Sequence, residues 1–113
     1  MKIVIAGSRT IKDSAAVAKA IERSKFEITE VVCGMATGVD KIGQQWGIMH
    51  GIPVKEFPAD WDKYGNSAGP IRNRKMAEYA DAAIIIWDGS SPGSRNMIKE
   101  IKKLDKPYFI DVV

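Results

Sequence analysis

The segment Gly34-Met35-Ala36-Thr37-Gly38-Val39-Asp40 separates a short apolar run, Val31-Val32-Cys33, from a helical-looking stretch that reaches His50. Two glycines and a small residue at such a junction let the backbone come close to a ligand. The first turn of the helix that follows aims unpaired N–H groups at the same place, and a phosphate is their natural guest. The segment has neither the full dinucleotide-binding glycine pattern nor a Walker lysine, so its chemistry depends on what stands beside it. Other segments have a similar make-up. Gly7-Ser8-Arg9 follows the apolar run Ile3–Ala6, and Asp88-Gly89-Ser90-Ser91-Pro92-Gly93-Ser94 follows Ala82–Trp87. Asp60-Trp61 and Tyr64-Gly65 follow Pro53–Phe57, and Arg72, Asn73 and Arg74 cluster at the start of a helical pattern. Arginines and an amide at a helix start suit an anion or a ribose. The aromatic residues suit a base.

Each of these has a bland counterpart. Gly7 is also a good strand-ending turn residue, and Arg9 a solvated cation. Ser91-Pro92-Gly93-Ser94 is a favourable helix N-terminus for local reasons. Trp61 and Tyr64 serve equally as loop anchors, and Asp40 complements the dipole of its own helix. Trp46, at helical spacing from Ile42, reads as core. So does Cys33, inside its apolar run.

The elements that must position these residues alternate along the chain. Lys2–Ala6 reads as a buried strand and Asp13–Ser24 as a helix with Ala16, Val17, Ala20 and Ile21 on one face. Val31–Cys33 is a second strand, and Thr37–His50 a second helix closed by Gly51. Pro53–Phe57 is a third strand. Pro58–Ala68 is too polar and too rich in turn residues for a regular element. Pro70 opens a third helix that runs to about Ala80. Ala82–Trp87 is a strand, Gly93–Leu104 a helix and Pro107–Asp111 a closing strand. Strands alternating with helices predict one α/β domain over residues 1–113: a three-layer, Rossmann-like, mostly parallel five-stranded sheet, order 3-2-1-4-5, with helices on both faces. Ligands of such sheets bind beyond the carboxyl ends of the strands, near the switch between strands 1 and 4. Every loop named above lies at that end.

Composition narrows the function classes. Hydrophobic residues make up 45% and charged residues 27% of the 113, ordinary for a water-soluble domain. No apolar run approaches the roughly 20 residues that span a bilayer, and Met1 leads straight into a strand, so no membrane partner or signal peptide is expected. A single cysteine and a single histidine argue against a disulfide and a zinc site. The net charge is +3, and Lys99, Lys102, Lys103 and Lys106 suit the end of the last helix. No basic tail or aromatic-interleaved patch points to nucleic acid.

Taken together, Gly7-Ser8-Arg9, the Gly34–Asp40 loop, Ala59-Asp60-Trp61 with Tyr64-Gly65, Ala68–Asn73, and Trp87-Asp88-Gly89 with Gly93-Ser94 resemble the SLOG superfamily, over nearly the whole chain. The branch it most resembles contains small stand-alone proteins of bacteria and phages related to YspA/YpsA proteins. The resemblance implies a Rossmann-like fold. It also brings in LOG enzymes, which cleave the N-glycosidic bond of nucleoside 5′-monophosphates, the DNA-processing protein DprA, and domains proposed to sense nucleotide-derived ligands. The LOG pattern has Arg-Lys, then Met, then Ser-Asp before a strand, followed by Pro-Gly-Gly-x-Gly-Thr-x-x-Glu. Arg72 and Met76 match its spacing ahead of Asp81, with Asn73 in place of the Lys. Asp88-Gly89 stands for Gly-Gly and Gly93-Ser94 for Gly-Thr, with a two-residue longer loop between. The position of the catalytic Glu is Met97, and Glu100 lies one turn further on. A thioether cannot activate water, and loss of a general acid–base group typically costs roughly 10²–10⁴-fold in rate.

The resulting expectation is a binder of a nucleotide or nucleotide-derived ligand, ADP-ribose-like or a signalling nucleotide, without catalysis and without a cofactor or metal. The ligand contacts are expected from Gly7, Ser8, Arg9, Gly34, Ala36, Thr37, Gly38, Asp40, Asp60, Trp61, Tyr64, Arg72, Asn73, Asp88, Gly89, Ser90, Gly93 and Ser94. Arg72 is expected to serve the ligand rather than the fold. By analogy with relatives, a homodimer or homotetramer in the cytoplasm is expected. In a phage setting, that means the host cytoplasm, where the protein senses or sequesters an immune nucleotide. Two alternatives stand beside this. One is a phosphoribohydrolase or other nucleotide hydrolase using Glu100, Asp40, Asp60 or Asp88. The other is single-stranded DNA binding in the manner of DprA.

Overall fold

Apolar runs without polar interruption, such as those of the first and fourth strands, must be covered on both faces, and they form the centre of a five-stranded sheet. The structure is a computed structural model that describes residues 1–34 and 37–113. Strands β1 (Lys2–Gly7), β2 (Glu30–Cys33), β3 (Val54–Glu56), β4 (Ala82–Trp87) and β5 (Tyr108–Val112) pair in the order β3-β2-β1-β4-β5. Every pairing is parallel, with Ile3 opposite Ala82 and Ile5 opposite Ile84 across the central pair. The expected topology is therefore found, with no antiparallel strand among the described residues.

Side-chain alternation along β1 and β4 sends successive residues to two separate cores. Ile3, Ile5, Ala82, Ile84 and Ile86 pack with Val17, Ala20 and Ile21 of helix α1 (Ser14–Ser24) and Val39 of helix α2 (Val39–Met49). Val4, Ala6, Ala83 and Ile85 pack on the other face with Met76 and Ala77 of helix α4 (Ala68–Tyr79). Met97, Ile98 and Ile101 of helix α5 (Pro92–Lys103) complete that second core. Helix α2 reaches the sheet through glycines: a Cβ on Gly43 would stand 2.6 Å from Ile5 Cγ2, and one on Gly47 3.0 Å from Val31. That close approach brings the first turn of α2 down to the strand ends.

Several boundaries differ from expectation. The segment 58–68 is not an irregular loop: Trp61–Tyr64 forms a short helix, α3, and Gly65–Ser67 a 3₁₀ turn that runs into α4. Asp60 starts α3 by accepting the Lys63 N–H at 3.1 Å, a local cap that outweighs the polar composition. Pro70 is the third residue of α4, not its first, where its missing N–H still costs nothing. Asp13 is the N-cap of α1, Gly38 that of α2, and β3 is shorter than Pro53–Phe57. Trp46 and Ile42 pack partly buried against the α1/α2 core, as their spacing predicts. Cys33 is buried.

Candidate functional site

A cavity of about 470 Å³ opens beyond the ends of β1, β2 and β4, within the size range of small-molecule sites. Of the expected contacts, Gly7, Arg9, Asp40, Trp61, Arg72, Asn73, Gly93 and Ser94 line it. They come from the β1 loop, the start of α2, α3, α4 and the start of α5.

Ser8 is placed otherwise. It is 1% exposed and lies behind the wall, where it ties the loops together. Its N–H donates to Ile86 O at 3.1 Å, and its carbonyl accepts Ile11 N at 3.3 Å and Val39 N at 3.4 Å. Its hydroxyl accepts the Asp88 N–H at 3.0 Å and shares a 3.0 Å hydrogen bond with the Ser91 hydroxyl. Gly38 closes the same junction, with φ of +73° and no room for a Cβ, which would fall 2.5 Å from Arg9 O. The glycine therefore serves the approach of the two loops. Thr37 is exposed nearby.

Arg72 spans the crevice. Its Nη1 donates to the Gly34 carbonyl and its Nε to Asn73 Oδ1 at 3.0 Å. Asn73 Nδ2 then reaches Asn96 Oδ1 at 2.9 Å and Gly93 O at 3.3 Å, so one chain of bonds joins β2, α4 and α5. Gly34 leaves room for both side chains: a Cβ would lie 2.6 Å from Arg72 Nη1 and 2.9 Å from Asp40 Oδ2, and one or the other would have to shift. Burial pushes the Arg72 pKa down; the Asp40 carboxylate opposes this, and the Arg9 guanidinium adds to it. Two guanidiniums therefore share this wall with one carboxylate, which leaves it receptive to an anion.

At the opposite wall, helix α5 starts without a side-chain cap. Ser91 holds the N-cap position, but its hydroxyl donates to Asp88 Oδ2 at 3.0 Å and not to the helix. Ser94, 5% exposed, is among the residues that line the cavity, and its Oγ is buried with no hydrogen-bond partner; among the described residues it is the one such side-chain atom. Met97 lies one turn further, also lining the cavity. Trp61, 51% exposed, forms the lip.

The remaining expected contacts lie elsewhere. Asp88 turns back on its own loop and accepts the Ser90 and Ser91 N–H groups, each at 2.8 Å. Those two donors hold its carboxyl at about 2. Gly89, with φ of +88°, and Ser90 are exposed parts of that turn. Asp60 and Tyr64 border a smaller cleft with Ile71 and Lys75. Glu100 points away from the cavity and sits 3.6 Å from Arg74 Nε, buried between α5 and α4. The expectation for Ala36 falls outside the described residues. Of the four carboxylates considered as catalytic, Asp40 alone lines the cavity.

Asn66, Gly69, Asn96 and Met97 line the cavity without having been expected as ligand contacts. Asn96 was findable, one helical turn beyond Gly93 and on the same face. Asn66 was hidden in the stretch taken as irregular. No group of residues suited to a metal ion occurs among the described residues, and no helix is long and apolar enough to cross a membrane.

Comparison with known proteins bears on the fold and the family. The chain is 32% identical over 118 residues to the Gene 61 protein of Mycobacterium phage D29, covering 96% of this chain and 94% of that one. Among solved structures, DNA processing protein A (DprA) from Streptococcus pneumoniae superposes with a TM-score of 0.77 at 18% identity, a likeness of fold. The match covers 96% of this chain but 49% of DprA, so the chain spans about half of that protein's length. The model of the YspA, cpYpsA-related SLOG family, YAcAr, matches residues 1–64. With that match over more than half its length, the chain belongs to the YspA, cpYpsA-related SLOG family.

Proposed function

We propose that this protein binds a nucleotide or nucleotide-derived ligand in the crevice and does not cut it. The observation that carries the reading is Ser94: a buried, unpartnered hydroxyl at the uncapped first turn of α5, in the wall of a nucleotide-sized cavity. Buried hydroxyls are nearly always bonded, so an orphan in a cavity wall marks where a ligand atom belongs. A phosphate there would accept from the Ser94 hydroxyl and the first N–H groups of α5, with Arg9 as counter-ion. Trp61 at the lip offers a face for a base. Membership of a SLOG family supports a nucleotide-related role.

The absence of cutting rests on Met97, a thioether lining the cavity one turn beyond Ser94, and on Glu100 facing Arg74 instead. The hydrolase alternative then reduces to Asp40. In a phage setting, a binder of this kind would sense or sequester a signalling nucleotide of the host, as a dimer or tetramer that native mass spectrometry would count.

The test is thermal melting against mononucleotides, dinucleotides and cyclic nucleotides. A ligand at 100 times its Kd adds about 2.7 kcal/mol of stability, a readily measured rise in Tm. Absence of any rise across the three classes would overturn the binding reading. Release of free base from nucleoside monophosphates or NAD, lost in Asp40→Asn, would overturn the non-catalytic part.

A further inference from the structure

The two edges of the sheet are not alike. Strand β3 ends it on one side with three residues, of which Lys55 and Glu56 are exposed, a usual way of discouraging a further strand. Strand β5 ends it on the other side with Tyr-Phe-Ile-Asp-Val, uninterrupted by lysine or proline, and its outer side has no strand partner among the described residues. Two hydrogen bonds fix which of its backbone groups face outwards. Ala83 N donates to the Pro107 carbonyl at 3.1 Å and Val113 N to the Trp87 carbonyl at 2.9 Å, both between β4 and the ends of β5. Backbone groups alternate in direction along a strand, so the odd-numbered residues of β5 serve β4, and Tyr108, Ile110 and Val112 turn N–H and C=O outwards. The same three share a side-chain face. Ile110 packs against the α4/α5 core and Phe109 against the opposite one, which puts Tyr108 and Val112 on the α5 side, 42% and 61% exposed.

This edge is complementary to itself. In an antiparallel pair centred on Ile110, that residue meets its own copy, and Tyr108 meets Val112 of the second copy. All three residues then sit in hydrogen-bonded pairs, which exchange both N–H···O bonds, so every outward group of the three is satisfied. The side-chain pairs are aliphatic on aliphatic and aromatic on β-branched, both favourable across strands. On the other face, Asp111 comes opposite Phe109 of the second copy, whose ring has the Arg23 guanidinium 5.9 Å from its centroid. Arg23 pairs at 3.5 Å with Asp111 of its own chain, so each carboxylate ends near two guanidiniums. The groups of this edge answer one another, which favours a second copy over a foreign strand.

We infer that β5 is a homodimer interface, where two copies of the chain join edge to edge, antiparallel about Ile110, into one continuous sheet. No residue of β5 lines the crevice, so the dimer and the nucleotide reading stand or fall separately.

The experiment is sedimentation equilibrium of the full chain, unaltered and with a charge placed at Val112, a side chain exposed enough to be changed without opening the core. The unaltered chain is expected to dimerise reversibly. Lys102 Nζ stands 5.4 Å from the centroid of the Tyr108 ring, so residue 112 of the second copy arrives beside a cation. Val112→Lys should weaken the dimer about 10- to 100-fold, and Val112→Glu should weaken it far less, with thermal melts confirming that both variants fold. The register has its own readout. Ile110→Cys should cross-link to its copy under copper oxidation, whereas Val112→Cys, roughly 13 Å from its own copy, should not. A chain that stays monomeric up to millimolar concentration would overturn the inference. A dimer that Val112→Lys leaves untouched would do the same, since another face must then hold it. Equal weakening by Lys and Glu, or cross-linking through Val112→Cys in place of Ile110→Cys, would overturn the pairing about Ile110.

Discussion

A hydroxyl taken out of water with no partner costs about 1–3 kcal/mol, and Ser94 Oγ is in that position in the ligand-free protein. Ser94→Ala removes the orphan together with its cost. The ligand-free variant should melt at or above the wild-type temperature, whereas its nucleotide affinity should fall about 10-fold. Unchanged affinity in a calorimetric titration would take Ser94 out of the site. Arg72 behaves in the opposite way. The guanidinium holds the Gly34 carbonyl and the Asn73 amide and stands beside Asp40. Arg72→Ala should therefore lose about 2–3 kcal/mol of stability in urea titration, besides any loss of binding. The sequence suggested a residue serving the ligand; the bonds make it a strut as well.

Asp88 yields a pH prediction at the same level. Its carboxyl is held at about 2 by the Ser90 and Ser91 N–H groups, below the ordinary 3.8. A depressed folded-state pKa means the unfolded chain takes up the proton first as pH falls. The Asp88 contribution is thus fully present above about pH 4 and is lost progressively between the ordinary value and about 2. Urea midpoints followed from pH 5 to pH 2 should fall, and Asp88→Asn should flatten part of that slope. An identical slope in the variant would show the turn to be indifferent to its carboxylate.

Helix α2 owes its position to what it lacks. A methyl on Gly43 would press on Ile5 Cβ at 2.8 Å, and a β-branched side chain in the middle of a sheet cannot swing aside. Gly43→Ala should gain a little helix propensity but lose about 1–3 kcal/mol net through overpacking. A stabilised variant in thermal melting would show that the helix can lift off the sheet. The glycines of α2 were visible in the sequence, yet nothing local distinguishes a packing glycine from a weak spot in a helix. Strand β4 was legible throughout, because an uninterrupted apolar run of that length leaves few alternatives. The segment 58–68 was not: a four-residue helix capped by Asp60 contains too little periodicity to register.

At the level of the molecule, the alternation of apolar runs with amphipathic stretches already implied a parallel sheet, its strand order and the end at which loops gather. Those properties follow from rules that any such chain obeys: burial of strands on both faces, connections that do not cross, and crossovers of one hand. Gly7, Arg9, Asp40, Arg72, Asn73, Gly93 and Ser94 were accordingly picked out from residue types and loop positions, and packing brings them around one cavity. Which of the expected contacts line the crevice and which serve the loops was not legible. Ser8 and Ser94 look equivalent in the sequence, each a serine beside a glycine after a strand. One hydroxyl is engaged by Asp88 and Ser91, the other by nothing. Asp88 and Asp40 look equally suited to a site, but one folds back on its own turn and the other lines the crevice. For Ser8, hydrogen bonds between loops distant in sequence make that difference, and they exist only once the sheet has brought β1 and β4 side by side; for Asp88, bonds within its own turn make it.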